Sequence, residues 1–247
     1  MLHRIAEHLH KQNWTAVAID FVIVVLGVFI GLQVSNWNEA LAERHLAGHI
    51  LERLGKDFED AVANADDALQ KHQRNLDGLQ LVIESIDRGT LPDDEVEKFR
   101  EGLRYAYIHI NAIGRSATYT EILSSGQLGL IEDDELRKAL ISFDNTVQEA
   151  AHVFTQIRMH QSAHIRDFTR RFDYQIPASP ITEENSWQPV GAFDFEGMVS
   201  DPDFMNAAFE LREAQRYYYV WHLRARNRAE EVRKLLVAEI ERETMNQ

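Results

Sequence analysis

Ala16 to Val34 reads AVAIDFVIVVLGVFIGLQV. As a helix this run rises about 28 Å, close to the roughly 30 Å of a bilayer's hydrocarbon core. Asp20 and Gln33 are its only strongly polar residues, and no amphipathic alternation survives between Phe21 and Leu32. Trp14 and Trp37 flank it, at the depth where interfacial aromatics sit. The run predicts a single transmembrane helix over 14–37. Ala40-Leu41-Ala42 has the form of a signal-peptide cleavage site. The apolar run, however, is longer than a signal core of about 7–15 residues, and the site lies beyond Asn36-Trp37-Asn38-Glu39, so the helix reads as a retained anchor. The next apolar stretch, Leu79 to Ile83, is far too short to span.

Charges beside the span set its expected orientation. Residues 1–13 carry Arg4 and Lys11, whereas Asn38 to Glu52 carries Arg44 against Glu39, Glu43 and Glu52. Basic residues are retained on the cytoplasmic side, which places the N-terminus in the cytoplasm and the large domain, 38–247, outside it. In a Gram-negative cell that means an inner-membrane anchor and a periplasmic domain. Within 1–13, Leu2, Ile5 and Leu9 recur at helical spacing, the pattern of a short tail or helix lying on the membrane surface. His3, His8 and His10 on its other faces read as solvated side chains.

One face of the span is distinctive. At 100° per residue, Asp20, Gly27, Gly31 and Asn38 fall within about 60° of one another. Gly27-Val28-Phe29-Ile30-Gly31 is a GxxxG pattern, and two small residues on one face let a second helix approach closely. These four residues form the expected helix-association face; Asp20 alone reads equally as a carboxylate snorkelling to the headgroups. The expected partners are the lipid bilayer and either a second copy of the chain or another membrane protein.

The remainder reads as helices. Leu46, Ile50, Leu54, Phe58, Ala61, Ala65, Leu69, Leu76, Leu79, Ile83 and Ile86 mark a long helix that continues from the span, ending at Arg88-Gly89-Thr90-Leu91-Pro92. Gly48, Gly55 and Gly78 each cost about 1 kcal/mol against alanine and are candidate bends. Asp93-Asp94-Glu95 opens a second helix toward Ile110, and Ser116 to Ser125 a third. Glu132-Asp133-Asp134-Glu135 opens another, running toward Phe172. Residues 173–200 hold Pro177, Pro180 and Pro189 with Trp187, Phe193 and Phe195, and read as an irregular loop packed over the helices. Asp201 caps a final helix with Pro202 at its first position. Phe204, Ala208, Leu211, Gln215, Tyr218, His222, Ala225, Ala229, Val232 and Leu236 then alternate at spacings of four and three, a coiled-coil-like seam. No strand pair is expected. The expected fold is all-α: a transmembrane helix continuing into an antiparallel helical bundle of about four main helices.

Composition narrows function. The chain of 247 residues carries 26 Lys and Arg against 40 Asp and Glu, a net charge of −14. That balance argues against nucleic acid as a partner. Cysteine is absent, which excludes disulfides, thiolate zinc sites, iron–sulfur clusters and a cysteine nucleophile.

Two segments carry a resemblance. Gln12-Asn13-Trp14-Thr15-Ala16-Val17-Ala18-Ile19-Asp20 with Gln33-Val34-Ser35-Asn36-Trp37-Asn38-Glu39 resembles the opening of an uncharacterised bacterial family of single-span envelope proteins, known as a domain of unknown function. Thr120 to Ile131, followed by Asp134-Glu135-Leu136-Arg137, is similar to that family's second recurring segment. Together they cover under a fifth of the chain. The resemblance implies a membrane anchor and a helical domain; it implies no activity and no catalytic residues.

Chemistry-bearing patterns are few. His160 and His164 stand four apart, and Glu149-Ala150-Ala151-His152 has the E-x-x-H spacing that di-iron bundles use. A second E-x-x-H is missing, as is H-E-x-x-H. His152, His160 and His164 are therefore weak metal candidates on a polar helix stripe, and no metal or other cofactor is expected. Gly126-Gln127-Leu128-Gly129 lacks the ending and the preceding strand of a phosphate loop. Tyr217, Tyr218, Trp221 and Arg224 form a candidate ligand or partner patch, with core packing as the plainer reading for Tyr218 and Trp221. The expected function is that of a membrane-anchored interaction, scaffold or accessory protein and not an enzyme. The alternative is an extracytoplasmic ligand-sensing bundle that signals through a membrane partner, since a tail of about 15 residues holds no output module. A metal-binding bundle ranks third.

Overall fold

The computed structural model describes residues 14–176 and 189–245. The surface helix read into 1–13, together with Pro177, Pro180 and Trp187 of the expected loop, lies outside them. The chain divides into two compact units between Ile50 and Leu51. Its helices are α1 (Trp14–Arg88), α2 (Val96–Tyr105), α3 (Ala117–Ser124), α4 (Asp134–Thr169), α5 (Phe195–Val199) and α6 (Pro202–Met245), with a 3-10 turn at Gln127–Leu130. The described residues are all-α apart from one small ribbon.

In the first unit α1 exposes every side chain from Ala18 to Glu39. An 18-residue window of this segment has a mean hydropathy of 2.3. Among the described residues it belongs to the one helix long and apolar enough to cross a membrane.

In the second unit Leu51, Leu54, Phe58, Ala61, Ala65, Ala68, His72, Asn75, Leu79, Val82 and Ile86 of α1 form a buried row, with Ile83 and Ser85 buried beside it. Residues of the row alternate three and four apart, so one stripe faces the interior for the whole length of this segment. The helix stops at Gly89, whose φ of 69° is a left-handed conformation that glycine adopts without steric cost. The chain returns as α2, antiparallel to α1: the Arg74 guanidinium lies 4.2 Å from the Tyr105 ring centre, and Arg88 pairs with Glu95 at 2.7 Å. Between these ends the two backbones touch. A Cβ placed on Gly78 would sit 2.8 Å from the Gly102 Cα, and one placed on Gly102 would collide with the Gly78 carbonyl. Gly78, a candidate bend from sequence, is thus a contact point in an uninterrupted helix. The second helix ends at Tyr105 rather than near Ile110, because the Ala106 and Ile108 carbonyls accept side-chain hydrogen bonds from Gln215 at 2.9 and 2.7 Å.

Caps fix the remaining starts. Ser116 Oγ accepts the Tyr119 amide of α3 at 3.0 Å and donates to Asp57 Oδ2 of α1 at 2.6 Å. Asp133 Oδ1 accepts the Leu136 amide at 2.9 Å and so opens α4. Two long helices of this unit, α4 and α6, run antiparallel. Asp133 at the start of α4 meets Arg242 near the end of α6, and Arg170 just past α4 meets Asp201 just before α6, at 2.6 and 2.5 Å. Asp201 accepts from Arg170 and Arg171 and caps α6 through the Asp203 and Phe204 amides. Those two guanidinium groups and that cap hold its carboxyl down at about 2 despite burial. Every seam residue read from sequence in α6, from Phe204 to Leu236, is buried.

The absence of strands is corrected by the structure. Phe172–Tyr174 (β1) and Val190–Phe193 (β2) pair antiparallel, with Phe172 opposite Phe193, Tyr174 opposite Val190, and a register irregularity between. Strands of three and four residues are too short to display an alternation. Arg100 of α2 fastens the ribbon by donating to the Val190 and Gly191 carbonyls and lying over the Phe193 ring.

Candidate functional site

The helices bury a polar layer at mid-length. His72 and Asn75 come from α1, Gln161 from α4, and Gln215, Tyr218 and His222 from α6; all are at most 3% exposed. His109, half-buried, joins from the connection after α2. Gln215 anchors the layer. Its Nε2 donates to the Ala106 and Ile108 carbonyls, which leaves Oε1 to accept, so the 2.7 Å contact to His72 Nδ1 requires the proton on that nitrogen. His72 Nε2 is then a bare lone pair. The His72 ring stacks on Tyr218 and His222, with ring centres 5.5 and 5.2 Å apart, and Phe154 closes edge-on against both partners.

This layer is incompletely paired. His72 Nε2, His222 Nε2, Asn75 Oδ1 and Gln161 Nε2 are buried without a hydrogen-bond partner among the described residues. Such groups cost free energy in a core. The neutral ring is favoured accordingly. Burial pushes the His72 imidazole down to about 4, the Gln215 hydrogen bond opposing this and nearby His222 and His109 adding to it. Burial likewise pushes His222 down to about 4 against a hydrogen bond to the Ile110 backbone. Burial, with Arg158 adjacent, also lowers His109. Tyr218 is pushed up to about 12 by burial and stays a neutral phenol.

The sequence candidates divide among several places. Asp20, Gly27, Gly31 and Asn38 lie on the exposed part of α1, and a Cβ on either glycine would meet nothing within 4 Å. The aromatic run of α6 splits by face. Tyr218 is in the core layer, Trp221 is half-buried, and Tyr217 is exposed. Arg224 covers the Trp221 ring and Arg216 the Tyr217 ring, at 4.7 and 4.8 Å. On the outer side of α4 and α6, His160 and His164 meet Glu210, with His160 Nε2 3.1 Å from Glu210 Oε2. One ligand atom from each of these three lies within 4.8 Å of the others. His152 is exposed and outside this group. A groove of about 530 Å³ beside the Gly78–Gly102 contact is lined by charges of both signs, among them Arg74, Asp77, Lys98 and Glu101.

Sequence reading missed His72, Asn75, His109, Gln161 and Glu210 as site residues. Gln215 and His222 were legible as polar breaks in an apolar seam, the one signal that marks such a layer. No protein family, no curated protein and no solved structure matches the chain.

Proposed function

We propose that this chain is a single-pass membrane protein whose helical domain recruits or supports another component of the cell envelope, acting by binding rather than catalysis. The observation that carries the reading is the exposed apolar stretch of α1. Burying a large aliphatic side chain is worth about 1.5–3 kcal/mol, so a row of them from Ile19 to Val34 strongly favours a hydrocarbon environment. The balance of basic residues supports an inner-membrane anchor with the N-terminus in the cytoplasm and the domain in the periplasm. Gly27 and Gly31, open on one face with Asp20 and Asn38, support helix-to-helix contact within the bilayer.

The experiment uses the chain's lack of cysteine. A photocrosslinker at Val34, on the same face as Gly27 and Gly31, captures a second copy or a discrete membrane protein in intact cells. Gly27→Leu with Gly31→Leu lowers that yield at least tenfold while the protein stays in the membrane. An unchanged yield in the double variant removes the association face from the account.

A ligand-sensing reading is favoured by one observation, the four unpartnered polar atoms in the core layer. Under it, a small polar molecule that engages them raises the melting temperature of the full chain.

A further inference from the structure

We infer that His160, His164 and Glu210 form a zinc site on the outer face of the α4–α6 pair, with its fourth position open to solvent. The two histidines are one turn apart on α4, so their rings project from the same face. Their ring centres are 5.1 Å apart at 62°, which keeps them from stacking against each other. Glu210 comes from the opposing helix. Two nitrogen donors and one carboxylate make a set that suits Zn²⁺, and three protein ligands plus water is the usual make-up of an open zinc site.

The distances are near what the metal requires. Zinc bonds of about 2.0–2.1 Å in a tetrahedron put neighbouring donors roughly 3.3 Å apart. The His160–Glu210 edge already measures 3.1 Å. One ligand atom from each of the three residues lies within 4.8 Å of the others, so the remaining edges must shorten by no more than about 1.5 Å for zinc to bind. The helices themselves are fixed in register by the Asp133–Arg242 and Arg170–Asp201 pairs at their two ends. His160 and Glu210 are exposed and His164 is half-buried, so the metal has a direct route in and its open position faces outward. Metal binding here joins α4 to α6 across the bundle surface, and the open position accepts a ligand atom from a solute or a neighbouring protein. The site is independent of the membrane reading, since its residues all lie in the second unit.

The test uses the full chain purified in detergent without a histidine tag, stripped with chelator and titrated with Zn²⁺, and with Co²⁺ as a spectroscopic probe. Wild type binds one equivalent that His164→Ala and Glu210→Gln each remove, and Co²⁺ gives the intense visible absorption of a tetrahedral site. At a hundredfold excess over Kd, zinc raises the melting temperature by on the order of 5 °C in wild type and not in the variants. His152→Ala retains the site. Both loss variants change exposed or half-buried side chains, and an unchanged melting temperature in metal-free buffer certifies their folding. Equal zinc stoichiometry in wild type and both variants, or octahedral Co²⁺ spectra, overturns the assignment.

Discussion

Acidification from about pH 6.5 to about pH 4 lowers the folding stability of the helical domain by on the order of 5 kcal/mol. The cause is the buried histidine layer. In the unfolded chain an imidazole takes up its proton near pH 6.5. In the folded state His72 and His222 resist protonation until about 4. Between those values the unfolded state holds more protons than the native one, so stability rises with pH. The contribution is complete above about pH 6.5, declines on acidification, and is exhausted near pH 4, where the folded rings also charge. Among the described residues the layer holds no carboxylate to offset the incoming charge. Its titratable neighbours are His109, Tyr218 and the Arg158 guanidinium. The stabilisation from Asp201, held at about 2, is present above its ordinary value near 3.8 and is lost only as the pH falls below it. Thermal melts of the full chain across this range measure the slope. His222→Leu removes one titrating group and reduces it by about 1.4 kcal/mol per pH unit. A slope identical to that of wild type contradicts the assignment.

Gly102→Ala destabilises the domain by about 2–3 kcal/mol, the opposite of what helix propensity alone demands. Alanine in a helix interior is favoured over glycine by about 1 kcal/mol. At Gly102 the added methyl meets the Gly78 carbonyl and lies 3.0 Å from Val82 Cγ2. A backbone carbonyl cannot rotate away, so α1 and α2 must separate. That separation disturbs the cluster of Leu79, Val82, Ile83, Ile86, Phe99 and Leu103. For a domain of this size the melting temperature drops by roughly 5–10 °C. Gly55→Ala is the control. Its Cβ would approach nothing nearer than Ile240 Cδ1 at 4.0 Å, and the propensity gain raises stability by about 1 kcal/mol. If Gly102→Ala melts at or above wild type, the close backbone contact is refuted.

How much of this was legible in the sequence varies from element to element for physical reasons. The seam of α6 could be read directly because apolar and small residues recur there at strict spacing, and all are buried. In α1 the same method follows Leu69 and Leu76, whereas the interior receives Ala68 and Asn75, one position earlier in each case, with His72 between them. Leucine outweighs alanine, histidine and asparagine in any hydrophobic reading. The polar layer draws the stripe its way because His72 faces Gln215 and His222 across the core. The close approach of Gly78 and Gly102 is a pairwise fact between separate helices, and neither glycine advertises it alone. The same holds for Glu210, which becomes notable only when an antiparallel helix brings it to His160. The β1–β2 pair joins segments too short to carry a period.

Anchoring by α1 is the claim on which the functional account stands, and alkaline carbonate extraction of membranes tests it most directly. Wild type is expected in the membrane pellet. The double variant Val24→Arg, Ile30→Arg is expected in the soluble fraction, because each arginine near the centre of a span costs about 3 kcal/mol. Recovery of wild type in the carbonate supernatant would contradict the account.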